Sequence, residues 1–396
     1  MSALRPALTV PAAVLFLAGT GCDYLLGPAA PVRGTAGPDW SLTEVTAGTI
    51  AGLDIGITLT GEVYASYVHD GSRLRVSRLD GGAWTHMEGP TLSGPDSEDY
   101  TRLAVDPEGG GSVLYRDGGS LLVADLDTGI GPPEDLAAVE AVMRTGSEPR
   151  PAGWTRETSS AAYGDDGVLR VVARAVDQDR LWLFRRSTEG WDLGPVPGSE
   201  FVHGSSEIAV SAGGVEHVLF AANSQGIYYW YRPGRGWASR LDIPDGQPYL
   251  IRIDGSGSSV LATRDRFRVR VAAEEQDPQS GLPFWNVRTV VEDDHLFWHT
   301  LGLVLDEEGL PGVLYVLGPL PREDFEVWFR RLTPAGWESS LVAGNLRLPV
   351  FNPFDVRMVR DPGGTVHVLL PAEGPTETDG SAHRLIHLRR DPDGGP

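Results

Sequence analysis

Arginines stand at regular places in this sequence. Arg102 and Arg357 each lie four residues before a turn aspartate, Asp106 and Asp361, and Arg252 falls on the corresponding segment of another unit. Alternation along an extended strand puts Tyr100 and Arg102 on one face, and likewise Asp355 and Arg357. Guanidinium groups beside a phenol and a carboxylate can grip a carboxylate or a sugar. Counting back six from each turn gives Tyr100, Thr300 and Asp355, with Asp54 and Ser205 as looser equivalents and His299 beside Thr300. The set mixes aromatic, hydroxyl and acidic groups, as a polar ligand site needs. The same residues suit internal Arg–Asp pairing between units, and that reading is preferred.

Other chemistries find no support. There is no His-Glu-x-x-His zinc motif, and a lone cysteine rules out thiolate clusters. No Gly-x-Ser-x-Gly elbow presents a serine nucleophile. A phosphate loop ending in lysine is impossible, because all 33 basic residues are arginine. The acidic turns "GDDG" and "AVDQDR" lack the oxygen spacing of a calcium loop, so solvated carboxylates are the simpler reading. No cofactor and no metal are expected.

The elements that must position the arginines repeat. Tryptophan follows a glycine or a turn at Trp40, Trp84, Trp191, Trp237, Trp285 and Trp337, in steps of 44, 107, 46, 48 and 52 residues. One step is about double, so one tryptophan is missing near "DTGIGPP", and the count becomes seven. Strand-like runs precede the turns: "RLRVSRL", "SLLVADL", "RLWLFRR", "GIYYWYR", "FRVRVAA", "EVWFRRL" and "RLIHLRR". Before each lies another apolar run, and before that a turn such as "DPEGG", "DGSG", "DEEG" or "DPGG". Asp and Gly suit such turns because both tolerate a left-handed backbone. Four short strands repeating every 40 to 50 residues predict a β-propeller, all-β and seven-bladed, over residues 39–391.

The last unit has three strands and stops near Arg390. "WSLTEV" (40–45) precedes any complete unit and can supply its outer strand, closing the ring between the chain ends and removing exposed edges. Trp154 lies too close to its turn to be the missing tryptophan, so residues 132–158 are read as an insertion in which "EDLAAVEAVMR" favours a short helix. Tryptophan opening an outer strand reads as packing between blades.

The rhythm of these units resembles the sialidase-like and lectin-like propellers of secreted proteins. The nearest stretch to the sialidase Asp-box is "SRLDGGAW" (77–84), one residue out of step. Sialidases set three arginines, a tyrosine and carboxylates around the axis. The resemblance therefore implies either a non-catalytic binding or scaffold propeller, or a glycan-processing enzyme of sialidase type, with the first preferred.

The N-terminus bears on location. Arg5 is followed by the apolar run "ALTVPAAVLFLA" (7–18), then Gly19, Thr20, Gly21 and the single cysteine, Cys22. The run is short for a spanning helix, which needs about 20 apolar residues. The segment resembles a bacterial lipoprotein signal, departing at Gly19 where that family usually has leucine. The resemblance implies a signal peptide (1–21), lipid on Cys22 and a spacer (22–38) rich in proline and glycine. Asp23 fits inner-membrane retention, but that rule varies between lineages, so either membrane stays open. An ordinary signal peptide is the alternative. With one cysteine no internal disulfide forms. The net charge of −21 argues against nucleic acid and against adhesion to anionic lipid, so membrane attachment would rest on the anchor. A glycan or an envelope protein is the expected partner. Residues 392–396 form a tail.

Overall fold

The structure is a computed structural model. It describes residues 35–93, 100–143, 154–175, 180–200, 202–222, 225–232, 236–237, 241–243, 247–265, 267–280, 283–294, 296–318, 325–346, 356–373 and 383–392. Cys22 and Asp355 lie outside them. The unit Val32–Pro396 is compact.

Among the described residues the strands form seven antiparallel sheets. Six have their four main strands in consecutive chain. They begin with the inner strands Ile50–Ile57, Thr101–Val105, Trp154–Tyr163, Val202–Ser211, Gln247–Ile253 and Leu296–Leu305. The seventh is composite: Arg357–Arg360, Val366–Glu373 and His383–Arg390 come from the chain end, and Ser41–Ala47 from its start. Each inner strand neighbours the next, and Arg357–Arg360 returns to Ile50–Ile57. The architecture is an all-β propeller with four-stranded blades.

Burial follows from that geometry. A second strand is packed on both faces, so Val63–His69, Ser259–Arg264 and Pro311–Leu317 are buried almost throughout. An outer strand such as Ala83–Thr91 is largely exposed. The core divides into seven apolar clusters, each lying between two neighbouring sheets. The recurrent tryptophans pack in the same gaps. Trp40 is buried edge-on against Phe329, Trp84 meets His387, and Trp285 meets Tyr228.

Three of the turns that end the inner strands share one chemistry. At Asp254, Asp306 and Asp361 the backbone N–H donates to the carbonyl four residues on, and the side chain accepts from that residue's N–H at 2.7–2.9 Å. The glycine three residues after each aspartate has positive φ, 86°, 77° and 92°, which a Cβ would strain.

The ends pair antiparallel, from Ser41 opposite Arg389 to Ala47 opposite Arg384, with a register shift between Glu44 and Thr46. Three features depart from expectation. The outer strand of the second sheet is not centred near Ile130: it is the two-residue Glu134–Asp135, inside the predicted insertion, with a single bridge at Leu126–Ile130. Helix Leu136–Met143 follows it, and Trp154 opens the third inner strand. Thr35–Ala36, read as spacer, adds a strand to the sixth sheet by pairing with Gly344 and Ala343.

Candidate functional site

An inner strand is a sheet edge, and its axial N–H and C=O groups have no ladder partner. Four residues before the turn, the inner strands carry Asp54, Arg102, Ser160, Glu207, Leu250, Gly302 and Arg357. Three of these side chains satisfy the neighbouring edge. Asp54 Oδ2 accepts from Leu103 N–H at 2.8 Å, Ser160 Oγ from Ile208 N–H at 3.2 Å, and Glu207 Oε2 from Ile251 N–H at 3.2 Å.

Both carboxylates also take an arginine. Arg357 Nε lies 3.3 Å from Asp54 Oδ1, linking the seventh sheet to the first. Arg252 Nη1 donates to Glu207 Oε1 at 2.8 Å and to its neighbour's carbonyl, Ile251 O, at 2.6 Å. Burial pushes the Glu207 carboxyl above its ordinary range, against the opposing pull of Arg252 and Arg102.

Tyr100 is 3% exposed and its hydroxyl donates to Ser159 O at 2.8 Å. Burial raises its pKa strongly, despite the nearby Arg102 and Arg357. The Arg102 guanidinium sits over the Tyr100 ring, 5.0 Å from its centre, and its Nη1 donates to Thr101 O. Asp54, Tyr100, Arg102 and Arg357 thus meet where the first, second and seventh inner strands run side by side. Arg252 joins Glu207 instead, between the fourth and fifth sheets. Ser205, His299 and Thr300 lie on the fourth and sixth inner strands.

Glu207 was not among the residues the sequence singled out. Its signal was present: it stands four residues before Ser211, the spacing that marks Arg102 and Arg357.

Two denser ionic clusters lie farther out. Glu216, 1% exposed, accepts from Arg170 Nε at 2.9 Å and from Arg185 Nε and Nη2 at 2.6 and 2.7 Å. Arg170 also forms a two-pronged pair with Asp166 at 2.6 and 2.7 Å, so an acidic turn weighed for calcium holds an arginine. Between the second and third sheets, Arg186 pairs with Asp125 and Glu134, and Trp191 Nε1 donates to Glu134 at 2.9 Å. Among the described residues no three acidic, histidine or cysteine side chains are grouped to hold a metal ion. No helix among them is long and apolar enough to cross a membrane.

The sequence matches no protein-family profile and no curated protein. Solved structures share its form at low identity. The Dos1 propeller is 9% identical, covering 89% of this chain and 94% of that one, with a TM-score of 0.49. The NanB sialidase of Streptococcus pneumoniae is 11% identical over 94% and 72%, with a TM-score of 0.45. The Aleuria aurantia lectin, solved with alpha-methyl-L-fucoside, is 13% identical over 63% and 79%, with a TM-score of 0.42. Likeness at this level carries nothing about ligand or activity.

Proposed function

We propose that the protein is held in a bacterial cell envelope by lipid on Cys22 and presents a seven-bladed propeller that binds a partner without transforming it. The seven sheets, the closed cycle of inner strands and the seven apolar seams support that blade count. The observation that carries the non-catalytic reading is Tyr100. A phenol that attacks a substrate must be accessible and readily deprotonated. Tyr100 is buried, donates its hydrogen bond to a backbone carbonyl and is harder to ionise than a free phenol. The carboxylate beside it, Asp54, is occupied with a sheet edge and an arginine, and so is the more distant Glu207. A glycan or an envelope protein is the partner class that suits an acidic propeller on a membrane tether.

One observation favours the sialidase-like alternative. Glu207 is a carboxyl whose pKa burial raises, as a general acid requires. Substrate turnover separates the two readings.

Attachment has its own test. Cys22→Ala should release the protein from membranes and abolish incorporation of labelled fatty acid. A variant that still sediments with membranes and still carries the label contradicts the anchor.

A further inference from the structure

The seams between sheets can be compared position by position, because every inner strand ends in an equivalent turn. Six residues after the turn, and opposite that residue on the third strand, lie two positions facing the next sheet. The next sheet answers with the residue five after its own turn and that residue's third-strand partner. Between the third and fourth sheets these four are Arg170, Arg185, Glu216 and Tyr231. The Glu216 carboxylate sits between the two guanidinium groups, and the Tyr231 ring covers Arg185 at 4.6 Å. Between the second and third sheets they are Ser112, Asp125, Leu169 and Arg186, with Asp125 and Arg186 paired.

Between the sixth and seventh sheets the four are Gly312, Arg331, Val366 and Arg390. Arg331 occupies the place of Arg185, but valine stands where the buried glutamate was, and glycine where Arg170 was. A Cβ on Gly312 would lie 2.6 Å from the Phe329 ring, so glycine admits that ring. The result is a cavity of about 60 Å³ bordered by Arg331, Arg360 and Arg390, with Phe329 in its wall.

Among the described residues the arginines there lack a buried carboxylate like Glu216 and meet acidic groups only at the rim. Burial lowers the pKa of Arg390 against the pull of Asp39, with Arg331 adding to the fall and Glu338 opposing it, and its guanidinium lies 5.9 Å from the Phe329 ring centre. Among the described residues, Arg331 Nε is buried without a hydrogen-bond partner. Its Nη2 reaches Glu338 at 3.3 Å on the exposed side, and Arg360 meets the exposed Glu307 only at 3.8 Å. The two aspartates in the cavity wall are engaged elsewhere. Asp306 Oδ1 accepts from Glu308 and Leu310 N–H within its own turn, and Asp391 Oδ1 accepts from Arg389 Nε and Nη2.

We propose that this seam binds the carboxylate of a small organic acid, which takes the place that Glu216 fills internally between the third and fourth sheets. Guanidinium groups suit a carboxylate by their fork of donors. The volume admits the acid group and a short carbon stem, and Phe329, Val304 and Val366 offer that stem an apolar surface. The site is built from other residues than the axial cluster and does not depend on what that cluster binds.

The test uses the full chain with propionate, and with propionamide at equal ionic strength as the neutral control. Ligand-observed NMR and thermal unfolding should both respond to propionate alone, since a ligand of the native state raises its stability by mass action. Arg331→Gln and Arg390→Gln should each weaken binding by at least about tenfold. Val366→Glu supplies the missing carboxylate from within. It should fold, keep or raise its melting temperature, and lose the propionate response. Equal responses to propionate and propionamide, or full binding by both arginine variants, overturn the proposal. So does a fall of more than about 5 °C in Val366→Glu, the behaviour of a buried carboxylate that finds no partner.

Discussion

At Asp54 one carboxylate serves two neighbours. It accepts the Leu103 N–H of the second sheet and faces the Arg357 guanidinium of the seventh. The types and spacing of Asp54, Tyr100, Arg102 and Arg357 were legible in the sequence. Arg–Asp pairing between units was also anticipated, but the backbone partner was not, because an N–H on the next sheet leaves no mark in residue spacing. A second residue-scale device is hidden in the same way. His367 Nδ1 and His387 Nε2 are 3.0 Å apart, their rings stacked, with Asp361 near one end and the Thr43 hydroxyl at the other. Burial, then His367 and Arg389, push the His387 pKa from 6.5 down to about 3, and burial lowers His367 as well. Unfolded imidazoles take protons near pH 6.5 while these stay neutral, so their contribution is complete above that pH. It is lost progressively as pH falls toward 3, at about 1.4 kcal/mol per pH unit for each group that stays neutral. Denaturant titrations from pH 7.5 to 4.5 should show the wild type losing stability faster than His387→Gln. Parallel profiles would contradict the assignment.

Among the elements, the third strands were the most legible. All seven runs picked out by β-branched and aromatic alternation are strands, from Arg73–Asp80 to His383–Arg390. They are flanked on both sides within the sheet, so pattern and structure agree. The outer strand of the second sheet was least legible. It has two residues, and it keeps its place through side chains of the third sheet: Arg186 and Trp191 both bond Glu134. No local pattern encodes a strand held from outside. The strand Ser41–Ala47 was readable because Trp40 marks it, and it carries the largest element-scale consequence. Deleting residues 39–46 strips the partner from His383–Arg390 and removes Trp40 from its contact with Phe329. Stability should fall by about 3 kcal/mol or more, the order of a buried aromatic truncation alone. An unchanged denaturation midpoint would mean that the seventh sheet stands without its N-terminal strand.

At the scale of the whole molecule, seven similar seams are filled in different ways. Apolar side chains line all of them, histidine and tyrosine chains run through some, and ion pairs cross others. The repeat rhythm could announce the seams but not their fillings, because each filling joins residues from two units. The axial charges belong to this system: Asp54 and Glu207 cap neighbouring strand edges and pair with Arg357 and Arg252, in keeping with the internal Arg–Asp pairing preferred from the sequence. The direct test is a turnover and binding assay on sialosides and related glycans, using wild type, Tyr100→Phe and Glu207→Gln from Val32 onward, so that Thr35–Ala36 is kept. Binding without product, unaffected by Tyr100→Phe, is the predicted result. Release of free sugar by the wild type, lost in Tyr100→Phe or Glu207→Gln variants that remain folded, would contradict the account.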